Sequence, residues 1–155
     1  MGTMRVYADT SVFGGVLDEE FAEPSRRFFD RVRRGEFTLV VSTQVLRELS
    51  GAPQAVRDEF DTIPESSLET VPISPAVEAL ADAYLVAGVL GSGCRDDALH
   101  VAAASVTTAD LIVSWNFRHI VNYRRISRYS AVNVLHGYRP IEIRSPAELA
   151  YDDQT

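Results

Sequence analysis

The 155-residue sequence lacks lysine altogether, and all fifteen of its basic residues are arginines. It has a single cysteine, Cys94, which excludes an internal disulfide, and it shows no cluster of cysteine and histidine that would indicate a zinc site. Its longest apolar runs, such as Thr38–Val41 and Leu111–Val113, are too short to cross a membrane. The N-terminus also has no apolar segment of the signal-peptide kind. We therefore expect a cytoplasmic protein without a membrane span.

Several common catalytic motifs are missing as well. The sequence has no GxSxG motif, no cysteine with an evident histidine partner and no glycine-rich phosphate loop. Its net charge of −7 argues against a protein that coats nucleic acid through a basic surface. This charge does not exclude a nuclease, because bound metal ions can offset an acidic site.

Segments with strand character alternate with segments of helical periodicity along the chain. The strand-like segments are Met4–Ala8, Thr38–Val41, 68–73, Leu111–Ser114 and 141–143. Alternation of this kind predicts an α/β fold with a mostly parallel sheet that is covered by helices on both faces. The chain has the length of one domain, which we assign to residues 1–155. Residues 1–3 are interpreted as an extension ahead of a natural start at Met4, and residues 145–155 as a short tail.

Helix starts are indicated by capping residues and by proline. Thr10 or Ser11 is expected to cap the first helix, and Ser42 or Thr43 the helix that carries Glu48. Ser74 followed by Pro75 is a strong helix start. The remaining helices are predicted over Pro24–Arg34, 53–61 and Arg95–Val106.

Polar residues directly follow two of the buried strands. Asp9 comes after the first strand, and Ser114 and Asn116 end the fourth. Because ligands bind outside the carboxyl ends of parallel strands, these residues are expected at one edge of the sheet. Glu48 and Asp97 lie on helices that could reach the same edge. Carboxylates gathered there would repel one another unless they bind a cation, and oxygen ligands favour Mg²⁺ or Mn²⁺.

Each of these residues also has an ordinary structural interpretation. Asp9 could cap a helix, Glu48 could be a solvated helix residue, and Asp96 and Asp97 could favour a helix N-terminus through its dipole. His100 is more typical of a packed or exposed histidine than of a ligand, and Trp115 is more typical of packing than of base stacking. What favours a site is the shared location of the acids, because no single acid is decisive.

Four segments of the sequence resemble the PIN-domain family of metal-dependent ribonucleases, and within it the VapC-like toxins of type II toxin–antitoxin systems. The segments are VYADTSV, LRELS, RDDALHVAAA and ADLIVSWNFRHI, and the closing GYRPIEIRSPAEL resembles the last strand and tail of a VapC-like subgroup. The resemblance covers nearly the whole chain. It implies a three-layer α/β/α fold with a central parallel sheet of four or five strands.

The resemblance also implies roles for individual residues. Asp9, Glu48 and Asp97 match the three core acids that bind Mg²⁺ or Mn²⁺, and Asn116 stands where the family usually has a fourth acid or polar residue. An uncharged Asn116 favours one strongly held metal ion. Residues that would position water or phosphate are Thr10, Ser11, Ser114 and Arg118. The implied activity is hydrolysis of RNA phosphodiester bonds by a cytoplasmic, homodimeric toxin that is inhibited by a small antitoxin.

Two other functions remain open at this point. One is a PIN-like domain that has lost catalysis and acts only through protein or RNA contacts, an alternative that Asn116 supports. The other is an α/β hydrolase in which Asp9 is a covalent phosphoryl acceptor. Such enzymes commonly have a second aspartate two residues later, where this chain has Ser11, and the absence of lysine to hold the phosphoryl group also argues against it.

Overall fold

A computed structural model describes residues 2–150, and Met1 and residues 151–155 lie outside the described part of the chain. The fold is α/β. Its strands are β1 (Met4–Ala8), β2 (Phe37–Ser42), β3 (Leu68–Val71), β4 (Leu111–Val113) and β5 (Ile143–Arg144). Its α-helices are α1 (Thr10–Gly14), α2 (Ala22–Arg33), α3 (Thr43–Ser50), α4 (Gln54–Asp61), α5 (Pro75–Val86), α6 (Arg95–Val106), α7 (Tyr123–Leu135) and α8 (Pro146–Ala150). No helix in residues 2–150 is long and apolar enough to cross a bilayer.

The five strands form one sheet in the order β3-β2-β1-β4-β5, and every pair of neighbours is parallel. This confirms the predicted parallel sheet and gives it five strands. β1 lies at the centre, where Val6 pairs with Leu39 on one side and with Leu111 on the other. The chain leaves β1 toward β2 but later returns to its other side as β4. The order of strands therefore reverses next to β1, and in parallel sheets ligands bind at such a reversal, outside the carboxyl ends of the strands.

Helices cover both faces of the sheet. Consecutive residues Val6, Tyr7 and Ala8 in β1 are all fully buried, although alternate side chains of a strand point to opposite faces. The same holds for Leu39 to Val41 in β2. Burial on both faces is what near-continuous apolar strands predict for a parallel sheet. Helix α6 contacts α5, β2 and β4, and four buried alanines let it lie close to its neighbours.

Most helix starts agree with the sequence. Ser42 caps α3 by accepting from the Val45 amide, and Ser74 caps α5 by accepting from the Val77 amide. The start predicted at Pro24 was wrong by two residues, because α2 begins at Ala22 and Pro24 lies within its first turn, where its missing N–H has no intrahelical partner to lose. The expected cap at Thr10 or Ser11 was also wrong, since both residues lie inside α1.

The C-terminal third differs more from the prediction. The last strand is Ile143–Arg144 and not 141–143, because Ser114 N–H donates to the Arg144 carbonyl and so sets the pairing with β4. After β4 the chain turns until Asn122 caps the long helix α7, whose extent had not been predicted. Of the tail expected over residues 145–155, the first part forms α8 and residues 151–155 lie outside the described residues.

Candidate metal and active site

Asp9 lies at the carboxyl end of β1 and is almost completely buried, with 4% of its surface exposed. Although it occupies the N-cap position of α1, its side chain makes no capping hydrogen bond. Instead, Oδ1 accepts from the Ser11 hydroxyl at 2.6 Å and Oδ2 accepts from the Ser114 hydroxyl at 2.7 Å. The capping interpretation of Asp9 is therefore not the one that the structure supports.

The two serines are oriented by the backbone after β4. Ser114 Oγ accepts from the Asn116 amide, and Ser11 Oγ accepts from the Trp115 amide, each at 2.9 Å. Because each oxygen already accepts a backbone N–H, its hydroxyl hydrogen is left to donate to Asp9. This arrangement joins the ends of β1 and β4 and holds the carboxylate in one position.

The electrostatic environment of Asp9 is costly for a negative charge. Burial raises the pKa of the Asp9 carboxyl, the charge of Asp97 raises it further, and His100 and the two serine hydroxyls act in the opposite direction. No arginine or histidine forms an ion pair with Asp9 within residues 2–150. A buried carboxylate that has no ion-pair partner is a natural ligand for a metal ion.

Glu48 extends from α3 toward the same edge and is about a quarter exposed. Its Oε1 accepts from the Thr10 hydroxyl and lies 2.9 Å from His100 Nε2, and its Oε2 accepts from Gln44 Nε2 at 3.0 Å. Burial acts to raise the pKa of Glu48, but the hydrogen bond and charge of His100, with smaller contributions from the other two donors, lower it to about 2. Glu48 is therefore an ionised, fixed carboxylate and not a freely solvated helix residue.

His100 connects Glu48 to the core. It is buried, and its Nδ1 lies 2.8 Å from the Tyr7 hydroxyl, which lies 2.8 Å from Ser42 Oγ. Burial lowers the pKa of His100, but the hydrogen bond to Glu48 and the charges of three carboxylates raise it overall. Of the two sequence interpretations of His100, a packed or an exposed histidine, the structure shows the packed one, and its bond to Glu48 was missed. The spacing held a signal, because Asp97 and His100 are three residues apart and so share one face of α6.

Asp97 lies in the first turn of α6 and is a quarter exposed, whereas its neighbour Asp96 is exposed. Asp97 Oδ2 lies 2.8 Å from His119 Nδ1, and Cys94 stands beside both. Within residues 2–150, Cys94, Asp97 and His119 are the group whose potential ligand atoms all lie within 4.8 Å of one another. The expectation that the chain has no cysteine–histidine cluster was therefore wrong, because the fold brings together residues 25 positions apart.

The three predicted acids are gathered at one edge of the sheet without forming such a tight group. Asp9 and Asp97 are close enough for the charge of Asp97 to affect the pKa of Asp9, and both act on His100 together with Glu48. Glu48 and Asp97 are each bonded to a histidine. The donor set offers oxygen ligands of the kind that Mg²⁺ and Mn²⁺ prefer, and the buried charge of Asp9 fits such an ion.

The remaining predicted residues have more varied positions. Asn116 Oδ1 accepts from the His119 amide at 2.9 Å, so part of its side chain shapes the turn after β4. Arg118 is exposed in the same turn. Trp115 is buried and stacked on Phe21 with ring centroids 4.1 Å apart, as expected for a packing residue.

Comparisons with known proteins support the fold. Neither a protein-family model nor a curated protein sequence matches the chain. Solved structures do match, and among them are proteins of the VapBC and VapC type. The chain therefore has the α/β fold seen in VapC structures, in agreement with the PIN-domain resemblance.

Three of these structures illustrate the likeness. VapBC2 from Rickettsia felis, bound to a DNA fragment from its promoter, has a TM-score of 0.58 and 16% identity over 92% of this chain and 98% of the matched chain. VapC20 from Mycobacterium tuberculosis, a toxin that cleaves the Sarcin-Ricin loop, has a TM-score of 0.57 and 14% identity over 88% of this chain and 98% of the matched chain. DNA-bound VapBC from Salmonella typhimurium has a TM-score of 0.56 and 15% identity over 93% of this chain and 99% of the matched chain.

Proposed function

We propose that the protein is a Mg²⁺- or Mn²⁺-dependent endoribonuclease that hydrolyses RNA phosphodiester bonds. The observation that carries this proposal is the Asp9 carboxylate, buried at the carboxyl ends of the central strands without an ion-pair partner in residues 2–150. Glu48 and Asp97 bring two further carboxylates to the same edge. A buried negative charge of this kind is stabilised by a bound divalent cation.

Asp9, Glu48 and Asp97 would hold the metal ion. When bound, a divalent cation supplies positive charge that offsets the phosphate and the negative charge that develops during hydrolysis. Asp9 is already fixed by two hydroxyl groups, and Glu48 by three hydrogen bonds. Ligands held in place before binding lose little conformational freedom when the ion and the substrate arrive.

The polar residues around the acids have separate tasks. Ser11 and Ser114 position Asp9, and Thr10 positions Glu48, so these three act mainly through the carboxylates they contact. Glu48 would also orient an attacking water by accepting a hydrogen bond from it. Asn116 would position water or phosphate through its amide nitrogen, and Arg118 would contact phosphate from its exposed turn.

The partners follow from the same proposal. We propose a cytoplasmic toxin with RNA as its substrate, a small antitoxin as its inhibitor and a homodimer as its assembly. The neighbours from Rickettsia felis and Salmonella typhimurium are VapBC structures, and together with the resemblance to VapC-like toxins they support an antitoxin partner for this chain. VapC20 is a toxin that cleaves the Sarcin-Ricin loop, which supports RNA as the substrate class proposed here.

RNA cleavage by matched aspartate variants tests the activity. Wild-type protein with Mn²⁺ should cut a mixed RNA pool, and chelation with EDTA should abolish cleavage. Asp97→Asn should lower the cleavage rate by on the order of 100-fold or more, since loss of a metal ligand costs more activity than loss of a residue that only orients a ligand. Asp96→Asn, which changes the exposed neighbour in the same turn, should cleave like the wild type.

Metal binding is measured separately, by anomalous scattering from Mn²⁺ in crystals of the wild type and of Asp97→Asn. We expect Mn²⁺ among Asp9, Glu48 and Asp97 in the wild type and a lost or much weaker signal in the variant. Cleavage that persists in EDTA, or equal rates for the two aspartate variants, would overturn the proposed mechanism. A binding-only protein would instead retain RNA or antitoxin binding and show no cleavage.

A further inference from the structure

A second set of metal-ligating side chains lies beside the acidic site. Cys94 ends a short 3₁₀ turn, Ser92–Cys94, that leads directly into α6, and Asp97 lies in the first turn of that helix. His119 comes from the turn after β4. Cys94 Sγ lies 3.6 Å from His119 Nε2 and 3.9 Å from Nδ1, and Nδ1 lies 2.8 Å from Asp97 Oδ2.

These three residues offer sulfur, nitrogen and oxygen ligands to one point. Thiolate and imidazole ligands favour a borderline ion such as Zn²⁺, whereas Mg²⁺ favours oxygen alone. Zinc–ligand bonds of about 2.0 to 2.3 Å place tetrahedral sulfur and nitrogen ligands roughly 3.5 Å apart. The shorter sulfur-to-nitrogen distance here, 3.6 Å, already matches that spacing, and rotation of the His119 ring would turn the nitrogen lone pair toward the ion.

The position of the histidine is fixed before any ion binds. The His119 amide donates to Asn116 Oδ1 at 2.9 Å, and its carbonyl accepts from the Tyr129 hydroxyl at 2.7 Å. Its ring is held by Asp97. About a fifth of the His119 side chain and a quarter of the Asp97 side chain remain exposed, so an ion can enter from solvent.

The same three residue types could instead form a nucleophilic thiol with its base. In such a pair the sulfur lies along the lone pair of one ring nitrogen, and it is then much farther from the other nitrogen. Here the two distances differ by little. The sulfur therefore faces the ring and is aligned with neither nitrogen, so this arrangement is not that of a thiol hydrogen-bonded to its base. For the two side chains to bind a common ion, the His119 ring would have to rotate until one nitrogen points toward that ion.

We propose that Cys94, Asp97 and His119 form a binding site for Zn²⁺ or a similar borderline divalent cation, which adjoins the oxygen-lined site at Asp9 and shares Asp97 with it. Binding would convert the Cys94 thiol to a thiolate and release one proton to solvent. The thiolate and the Asp97 carboxylate together neutralise the charge of the ion. Water would complete its coordination on the exposed side.

Asp97 belongs to both sites, which gives the inference a functional consequence. An ion held by Cys94 and His119 would draw Asp97 away from the acidic site. Zinc would then inhibit metal-dependent RNA cleavage, and this consequence, unlike binding itself, rests on the proposed function.

Cobalt spectroscopy tests binding without any need for nuclease activity. Co²⁺ added to the purified, reduced protein should give a sulfur-to-cobalt charge-transfer band in the near ultraviolet, and Zn²⁺ should displace it. Cys94→Ser should abolish the band. His119→Gln should weaken Co²⁺ binding by on the order of tenfold or more, whereas His136→Gln, at an exposed histidine outside the cluster, should leave it unchanged.

The variants Asp97→Asn and Asp96→Asn form a second matched pair. Asp97→Asn should weaken Co²⁺ binding, whereas Asp96→Asn, at the exposed neighbour, should leave it unchanged. Thermal melts of every variant establish that it is folded. Absence of the band in folded wild type at millimolar Co²⁺, or a band of equal strength in His119→Gln, would overturn the proposed site. If the band behaves as expected but no RNA is cleaved, the zinc site stands and the proposed nuclease function fails.

Zinc inhibition is then measured on Mn²⁺-dependent RNA cleavage. We expect Cys94→Ser to require on the order of tenfold more Zn²⁺ for half inhibition than the wild type. Equal inhibition of both proteins would overturn the competition for Asp97 while leaving the spectroscopic result to decide on binding.

Discussion

Removal of the Ser114 hydroxyl should destabilise the fold far more than a serine-to-alanine change usually does. Ser114 is completely buried, donates to Asp9 Oδ2 at 2.7 Å and accepts from the Asn116 amide at 2.9 Å. Ser114→Ala would leave the carboxylate with one of its two hydroxyl donors and would leave the amide without this acceptor. Both groups lie where replacement by water is restricted.

The expected loss follows from these two hydrogen bonds. A hydrogen bond to a charged group contributes about 1.5–3 kcal/mol, and an unsatisfied buried donor costs about 1–3 kcal/mol. Since the surroundings relax in part, we expect Ser114→Ala to lower the free energy of unfolding by about 2–4 kcal/mol. Ser127→Ala should cost less than about 0.5 kcal/mol, because that serine is exposed on α7 and its hydroxyl donates to the Arg124 carbonyl of the same helix.

Urea denaturation at neutral pH, followed by the fluorescence of the single tryptophan Trp115, measures both losses. A double-mutant cycle then isolates the contribution of the Asp9 charge to the stability that the Ser114 hydroxyl provides. In an Asp9→Asn background, Ser114→Ala should lower the free energy of unfolding by at least about 1 kcal/mol less than it does in the wild type, because only neutral hydrogen bonds remain. A loss for Ser114→Ala no larger than that for Ser127→Ala would refute the reasoning that this hydroxyl holds a buried carboxylate.

Three further perturbations follow from the structure. The pKa of Glu48 is about 2 against its usual 4.5, so ionised Glu48 stabilises the fold above pH 4.5, and this stabilisation is lost as the pH falls toward 2. Urea melts across that pH range should show the loss of stability, and the loss should be smaller in Glu48→Gln. His100→Gln should lower RNA cleavage by on the order of 10- to 100-fold in a rate assay, because it releases Glu48, and an unchanged rate would contradict its positioning role. Gly15→Ala should cost about 1–3 kcal/mol in thermal melts, because its Cβ would lie 2.7 Å from Trp115 Nε1, whereas Gly14→Ala meets nothing within 4 Å and should not destabilise.

The placement of the acids was predictable because it depends on local patterns. The strand-like run Met4–Ala8, followed directly by Asp9, fixes where the first strand ends. The caps at Ser42 and Ser74 depend on side chains that bond to amides three residues away. Parallel pairing then brings the carboxyl ends of the strands to one edge, and no further information is needed to place Asp9 there.

The hydrogen bonds of the site were not predictable in the same way. Ser114 and Asp9 are 105 residues apart, and Glu48 and His100 are 52 residues apart. Their contacts depend on the register of β1 with β4 and on the rotation of α6 about its axis. The sequence shows neither quantity directly. For the same reason the contact of Cys94 with His119 could not be found, because it requires the turn after β4 to fold back over the start of α6.

The three carboxylates differ in how firmly the fold holds them. Asp9 is held between the ends of β1 and β4, and Glu48 is tied through His100 and Tyr7 to the central strands. Both carboxylates are therefore held in place by the sheet. Asp97 instead bonds to His119 in a turn, next to Cys94 in a 3₁₀ segment. Since its neighbours belong to the outer, non-strand parts of the fold, Asp97 is the carboxylate of the three that we expect to change partner most easily. Any control of this site by a second ion should therefore act through Asp97.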